Sequence, residues 1–382
     1  MPTFAADLAI TGVKAFPAPD AAPVTNATVV IHDGKVSAVG KNAAIPPDAT
    51  KLACSGCYVF AGFWNSHVHF TEPKWAAAAT APAPVLTRNL QAMLTHSGFT
   101  TVVDLASDIR STSALRRRVD SGEVPGPRIF TAGSGIYPPH GVPIYLSNLP
   151  PEVRAALPQP STPAEAEAIV RQNMTAGADV LKLFTGSYVT RSEIKPMPLD
   201  VARAAVAIAH AHHELAFAHP SNLEGVRIAM EAGVNVLAHA PDTVAGVDDA
   251  VIGQLVAHHM SMIPTLKLFS GESAIPCIRE IVLKFHQLGG PLIFGTDTGF
   301  LADYDLTEEY RQLALAGLSW KEVLAMLTTA PVKLFGLKGE GRVAPGQRGD
   351  LTILSTDPSS QGLTAFTKVR YTIRAGKVIY QR

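Results

Sequence analysis

Two hydrophobic periods divide the chain. At both ends apolar and polar residues alternate over short runs, the period of half-buried strands. The stretch "ATVVIHDGKVSAVG" reads as a strand, a turn at Asp33-Gly34 and a second strand, and "VRYTIRAGKVIY" repeats the plan with Val369, Tyr371 and Ile373 on one face and Gly376 at the turn. Strands from both termini are therefore expected to meet in one small β-sandwich domain, residues 1–60 plus 339–382.

Between them, over residues 61–338, near-continuous apolar runs alternate with helical stretches of 10 to 15 residues. The runs are "GFWNSH", "FTTVVDL", "PRIFTAG", "DVLKLF", "LAFAH", "VNVLAH", "MSMIPT" and "PLIFGTD". The intervening "TPAEAEAIVRQNMTAG" and "LDVARAAVAIAHAHH" carry helical spacing, and Thr162-Pro163 supplies a cap followed by proline at the first helical position. Eight buried strands, each followed by a helix, predict an α/β fold of the parallel (β/α)8 TIM-barrel type. A doubly wound open sheet is the rival, but it would announce a glycine-rich phosphate turn after its first strand, where this chain has histidines.

In such a barrel the chemistry gathers at the C-terminal strand ends. The first strand leads into His67 and His69, one residue apart and so on one face; the fourth contains Lys182, the fifth ends in His219, the sixth in His239 and the eighth in Asp297. A single histidine at a strand end is more often a hydrogen-bonded structural residue than a ligand. Four imidazoles and a carboxylate at equivalent ends instead describe a nitrogen and oxygen site suited to zinc or another first-row metal. His96, His210, His212, His213, His258, His259 and His286 fall near helix ends on the opposite side, where the helix dipole explains them without a metal. His32 falls in the small β-domain and is expected at the surface.

Composition narrows the partners. The 382 residues are 47% hydrophobic, and Lys plus Arg (32) balances Asp plus Glu (32). Nothing draws the chain to nucleic acid or an anionic membrane, so a small-molecule substrate is expected. No secretory pattern or membrane-length apolar run occurs, and three cysteines agree with a reducing compartment, so the cytoplasm is the expected location. The lone "CSGC" of Cys54 and Cys57 has no second pair for zinc and precedes a strand-like run, which favours a structural role. Oligomeric state is not legible, although barrels of this size often pair into a homo-oligomer.

These motifs, "HVH", "GFTTVVDL", "LKLF", "AHP", "LAHA", "GTDTG" and the closing "GRVAPGQRGDLTIL", come in an order that resembles the amidohydrolase superfamily, and within it the imidazolonepropionase and Xaa-Pro dipeptidase (prolidase)-like group. The resemblance implies a hydrolase of amide or related bonds holding one or two divalent ions. It makes His67, His69 and Asp297 ligands of the more buried metal, His219 and His239 ligands of a second, and Lys182 their bridge once carboxylated, since an ammonium repels a cation. An unmodified Lys182 would mean one metal. It further implies a metal-activated hydroxide attacking a carbonyl, with Asp297 as general acid/base; His140, in the long loop "GSGIYPPHGVPIYL", as donor to the oxyanion; and Tyr188 and Arg191 of "TGSYVTRSE" as holders of a substrate carboxylate. The chain departs from the usual phrase by having Ala61 and Asn65 where relatives have proline and aspartate, neither of them a ligand. The expected substrate is an N-acyl amino acid, a dipeptide or a cyclic amide. Action on a lactone, ester or organophosphate, or a metal-binding barrel without activity, are the competing readings; retention of Asp297 beside four histidines argues against the last.

Overall fold

The computed structural model describes residues 7–382; the first six residues, where the small β-domain was expected to begin, lie outside the described residues. Strands from both termini do share a sheet. Its order runs Lys377–Gln381, Val369–Arg374, Leu351–Leu354, Tyr58–Ala61, Leu8–Ala15, Val24–His32, Lys35–Gly40, with Thr50–Ala53 also paired to Leu8–Ala15. The join between the termini is antiparallel, with Ile353 opposite Val59 and Leu351 opposite Ala61. Both expected hairpin turns place two successive residues at positive φ, Asp33 and Gly34 (48° and 70°) and Ala375 and Gly376 (47° and 79°), which matches the right-handed twist of the flanking strands.

These strands form one hydrogen-bonded sheet rather than two separate ones. The sheet curls, bringing its edge strand back to the opposite arm: Val36 N–H donates to Gln347 O (2.8 Å) and Gly349 N–H to Gly34 O (2.7 Å). Ile10, Ile31 and Val59 thereby share a core with Ile353 and Ile373, so the two-layer packing comes from a single bent sheet. Cys54 and Cys57 close their turn with a disulfide, in place of the expected reduced thiols; the Cys57 N–H to Cys54 O turn bond holds the two Cα atoms 5.4 Å apart, within bridging range.

The central region carries seven parallel strands in two sheets. β1 (Phe63–Val68), β2 (Phe99–Asp104) and β3 (Arg128–Thr131) form the first; β4 (Val180–Phe184), β5 (Leu215–His219), β6 (Val236–Leu237) and β7 (Ser261–Met262) form the second. All their pairings are parallel. The eighth run, 291–297, makes no regular ladder. It is nevertheless tied on both sides, by bridges Met262–Leu292 and Val68–Thr298 and by the Ser66 N–H to Phe294 O bond (2.7 Å), while Ile136–Leu183 bridges the other seam. Close approach explains the irregularity, since a Cβ on Gly295 would stand 2.8 Å from His67 Cβ. Trp64, Val103, Ala132, Val180, Phe217, Val236, Ile263 and Ile293, from all eight runs, pack into one buried cluster.

Helices cover the outside. Pro163–Thr175 opens with the expected Thr162 cap, completed by Glu165 into a reciprocal capping box. Leu199–Ala211 buries Val201, Ala205, Val206 and Ala209 along one stripe. The long loop after β3 is less bare than its sequence suggests, with a 3-10 turn at Ile144–Leu146 and a short helix at Pro151–Ala155. Gly186–Tyr188 and Ile194–Pro196 pair as a hairpin after β4. No helix among the described residues is long and apolar enough to cross a membrane.

Candidate metal centre

The two histidines of the first strand reach the centre through a slip in the strand itself. Phe63 and Val68 both pack into the outer core while Trp64 faces the inner cluster, although 63 and 68 would face opposite ways in a regular strand. The register with β2 shifts between Asn65 and Val68, which resets the alternation and turns His67 and His69 together toward the strand ends. Their Nε2 atoms lie 3.2 Å apart. Asp297 Oδ1 stands 3.3 Å from His67 Nε2 and 2.9 Å from His69 Nε2.

Hydrogen bonds on the far side of each ring fix what faces inward. His67 Nδ1 donates to Ala238 O (2.7 Å) and His69 Nδ1 to Ala106 O (3.0 Å), so each proton sits on Nδ1 and each Nε2 presents a lone pair. His239 obeys the same rule. Thr265 Oγ1 donates to Pro264 O (2.8 Å), so at 2.7 Å from His239 Nδ1 it accepts that ring's proton. His239 is ring-to-ring with His67 (4.5 Å) and with His219 (4.7 Å), making a continuous row His69–His67–His239–His219.

Such an arrangement is repulsive on its own. Two lone pairs face each other at 3.2 Å beside a buried carboxylate oxygen to which neither, with its ring proton on Nδ1, has a proton to donate. A cation resolves it. Ligands about 2.0–2.1 Å from a tetrahedral zinc stand roughly 3.3 Å from one another, and the three contacts of 2.9–3.3 Å fit that spacing. Electrostatics agree, since burial, with the nearby Lys182 and the neighbouring rings, holds His67, His219 and His239 well below the usual imidazole range and thus neutral. For His69 burial again opposes charge, but the adjacent Asp297 carboxylate prevails and raises the ring. Lys182 is 1% exposed, and burial pushes its amine down to about 7 against the pull of Asp297.

The sequence profile of the amidohydrolase family matches residues 58–379. The chain belongs to that family. This amidohydrolase is accordingly an enzyme, a hydrolase acting on carbon–nitrogen bonds in a family that is metal-dependent. It is 24% identical over 389 residues to an allantoinase of Solibacter usitatus (strain Ellin6076), covering 87% of this chain and 82% of that one. Among solved structures it resembles a Xaa-Pro dipeptidase with bound methionine in the active site (TM-score 0.82, 20% identical, covering 99% of this chain and all of that one). It also resembles a molinate hydrolase (TM-score 0.80, 18% identical, 98% and 94%). These structural likenesses establish the fold.

The substrate-side expectations fare unevenly in the amidohydrolase structure. His140 is exposed at a left-handed turn (φ 52°), and no hydrogen bond or ion pair among the described residues ties it to the row of imidazoles. Tyr188, half-buried, bonds its hydroxyl to Thr243 and neighbours Asp242, whose carboxyl is raised to about 6 by burial. Arg191 is exposed near the hairpin tip without an ion pair among the described residues. The other histidines behave as controls: His210 bonds Asn235, His286 pairs with Glu322, and His32 is at the surface, paired with Asp7. Sequence reasoning passed over Asp104, fully buried at the end of β2, where it accepts from Thr131 Oγ1 (2.7 Å) and adds to the field raising His69. Its signal was present, a carboxylate closing an otherwise apolar strand. Thr265, Ala106 and Ala238 carried none.

Proposed function

We propose that the chain is a zinc-dependent amide hydrolase acting on a small N-acyl amino acid, dipeptide or cyclic amide, with His67, His69, Asp297, His219, His239 and a carboxylated Lys182 as ligands of two metal ions. One observation carries the reading: the Nε2 lone pairs of His67 and His69, each fixed by a bond at Nδ1, are gathered with a partnerless Asp297 oxygen, and the His239 ring, held in the same way, packs against His67. Bound metal supplies an acidified water and a polarised carbonyl. Asp297 takes the proton of the attacking water and returns it to the departing nitrogen; the C–N bond breaks and an acid and an amine leave. Burial of Lys182 supports the bridge, because only a neutral amine adds carbon dioxide, losing a proton to become the carbamate. The dipeptidase among the structural neighbours supports a peptide-like amide.

The architecture behind this reading is one closed (β/α)8 barrel over residues 61–338, with residues 1–60 and 339–382 as the accessory β-domain. The bridged seams and the shared inner cluster support it. Tyr188 stays at the substrate rim. His140 and Arg191, both exposed, remain candidate substrate contacts, and neither receives a step.

The test is metal content per chain by mass spectrometry on a sample also screened against N-acyl amino acids, Xaa-Pro and other dipeptides, cyclic amides, lactones and phosphotriesters. About two metals and amide hydrolysis are expected, with Asp297→Asn abolishing turnover. About one metal sinks the binuclear site; turnover of lactones or phosphotriesters alone sinks the amide assignment; undiminished hydrolysis in Asp297→Asn removes the proton shuttle.

A further inference from the structure

The rim of the ligand cluster is unusually apolar. Few large hydrophobic side chains are exposed among the described residues, and three of them, Ile144 (38%), Tyr145 (37%) and Phe300 (43%), fall in the segments that follow β3 and the eighth run. Singly, an exposed apolar residue needs no explanation. Here two rings from segments more than 150 positions apart pack edge to face, Tyr145 against Phe300, with centroids 5.1 Å apart and planes at 66°.

Their placement relative to the site is fixed by backbone. Asp297 O accepts from Phe300 N–H (3.2 Å) and Leu301 N–H (3.0 Å), so Phe300 rides on the turn that begins at the site carboxylate. That turn cannot drift, because Gly299 packs where a Cβ would stand 1.9 Å from His69 O. Tyr145 is tied to the same turn by its packing against Phe300. Two further aromatic rings, both buried, back the imidazoles: Tyr137 stacks on Phe184 (4.5 Å, 26°), and Phe184 stacks on His219 (5.0 Å, 26°). An aromatic stack thus ends on one of the imidazoles.

We infer that Tyr145 and Phe300 form the pocket for an aromatic or bulky apolar group on the substrate, beside the bond to be cleaved, which narrows the amides of the proposed function to those bearing such a group; the inference rests on that reading for the site's location. A pair of rings left half in water gains by covering itself with a third apolar group, and rings meeting edge to face leave a concave angle to receive it.

The experiment uses the zinc-loaded full chain and two matched substrates, an N-phenylacetyl amino acid and the N-acetyl derivative of the same amino acid. The readout is the ratio of their kcat/KM values rather than either rate, so a general loss of activity does not count. Wild type is expected to favour the phenylacetyl compound by about tenfold or more, Phe300→Ala and Tyr145→Ala to bring the ratio within about threefold of unity, and Tyr145→Phe to keep the preference. A ratio near one in wild type, or a preference surviving both truncations, overturns the inference. Calorimetric binding of phenylacetate against acetate to the same proteins needs no turnover and separates the two readings. If phenylacetate binds preferentially and the truncations abolish this while neither amide is cleaved, the proposed N-acyl amino acid substrate fails and the pocket stands; if phenylacetate binds no better than acetate, the pocket fails.

Discussion

Thr265→Val tests whether His239 is held as a metal ligand. The substitution exchanges a hydroxyl for a methyl at a fully buried position, so shape is nearly kept and one acceptor is lost. In the native protein that hydroxyl receives the His239 Nδ1 proton at 2.7 Å and spends its own proton on Pro264 O at 2.8 Å. With valine the ring has two options. It keeps the proton on Nδ1, buried and unsatisfied at about 1–3 kcal/mol, or it moves the proton to Nε2 and gives up the lone pair that would face the metal. Either raises the cost of metal binding, and loss of such a supporting group typically weakens affinity by about 10- to 100-fold, equivalent to about 1.4–2.8 kcal/mol. Thr265→Ser keeps the acceptor and should stay within about threefold of wild type. The assay is competition for zinc with a chromophoric chelator, run beside denaturant unfolding of the metal-free proteins so that lost folding is not counted as lost affinity. Wild-type affinity in Thr265→Val, or an equal loss in Thr265→Ser, would refute the argument.

Two further outcomes follow from the same geometry. Gly299→Ala puts a methyl 1.9 Å from a backbone oxygen at a residue with φ 102°, so backbone must move; a loss of at least about 3 kcal/mol in denaturant unfolding is expected, and one below about 1 kcal/mol contradicts the packing. Lys182 ties stability to pH. In the unfolded chain its amine holds a proton up to about 10.5, while burial releases it near 7 in the folded protein. Between those values the unfolded state binds more protons, so stability rises with pH across the window, and the penalty of charging the buried amine is fully present below it. Chelated, carbon dioxide-free protein should therefore become more resistant to urea from pH 7 toward 10, and Lys182→Met should flatten that rise; an unchanged slope in the variant would show that Lys182 is not its source.

The proposed ligands are legible in the sequence because the chemistry asked of them admits few substitutes. Imidazoles at the ends of apolar runs stand out, and "AHP", "LAHA" and "GTDTG" mark His219, His239 and Asp297 even though β6 has two ladder residues and the eighth run has none. Hydrophobicity survived where pairing geometry did not, since Ile293 keeps its place in the inner cluster without a strand around it. The curl of the terminal sheet left no local trace, because it depends on Gly349 meeting Gly34 across more than 300 residues.

What the sequence concealed is the support of those imidazoles, because it is built from atoms every residue has. The carbonyls of Ala106 and Ala238 orient His69 and His67, and any residue in the same backbone conformation would offer the same oxygen. Conformation is then the scarce resource. Ala106 (φ 111°), Thr265 (φ 46°) and Asp297 (φ 58°) all occupy the left-handed side, which costs of order 1–3 kcal/mol at residues other than glycine. For Thr265, a β-branched residue, that cost is offset by Glu309 on the helix Thr307–Leu315, whose buried carboxylate accepts from the Leu266 and Lys267 N–H groups at 3.1 and 2.7 Å and holds the strained turn in place. A glycine at 265 would adopt the same backbone more cheaply but would bring no hydroxyl to His239. The chain carries the strained threonine where relief was available, which places the bond to His239 above local stability.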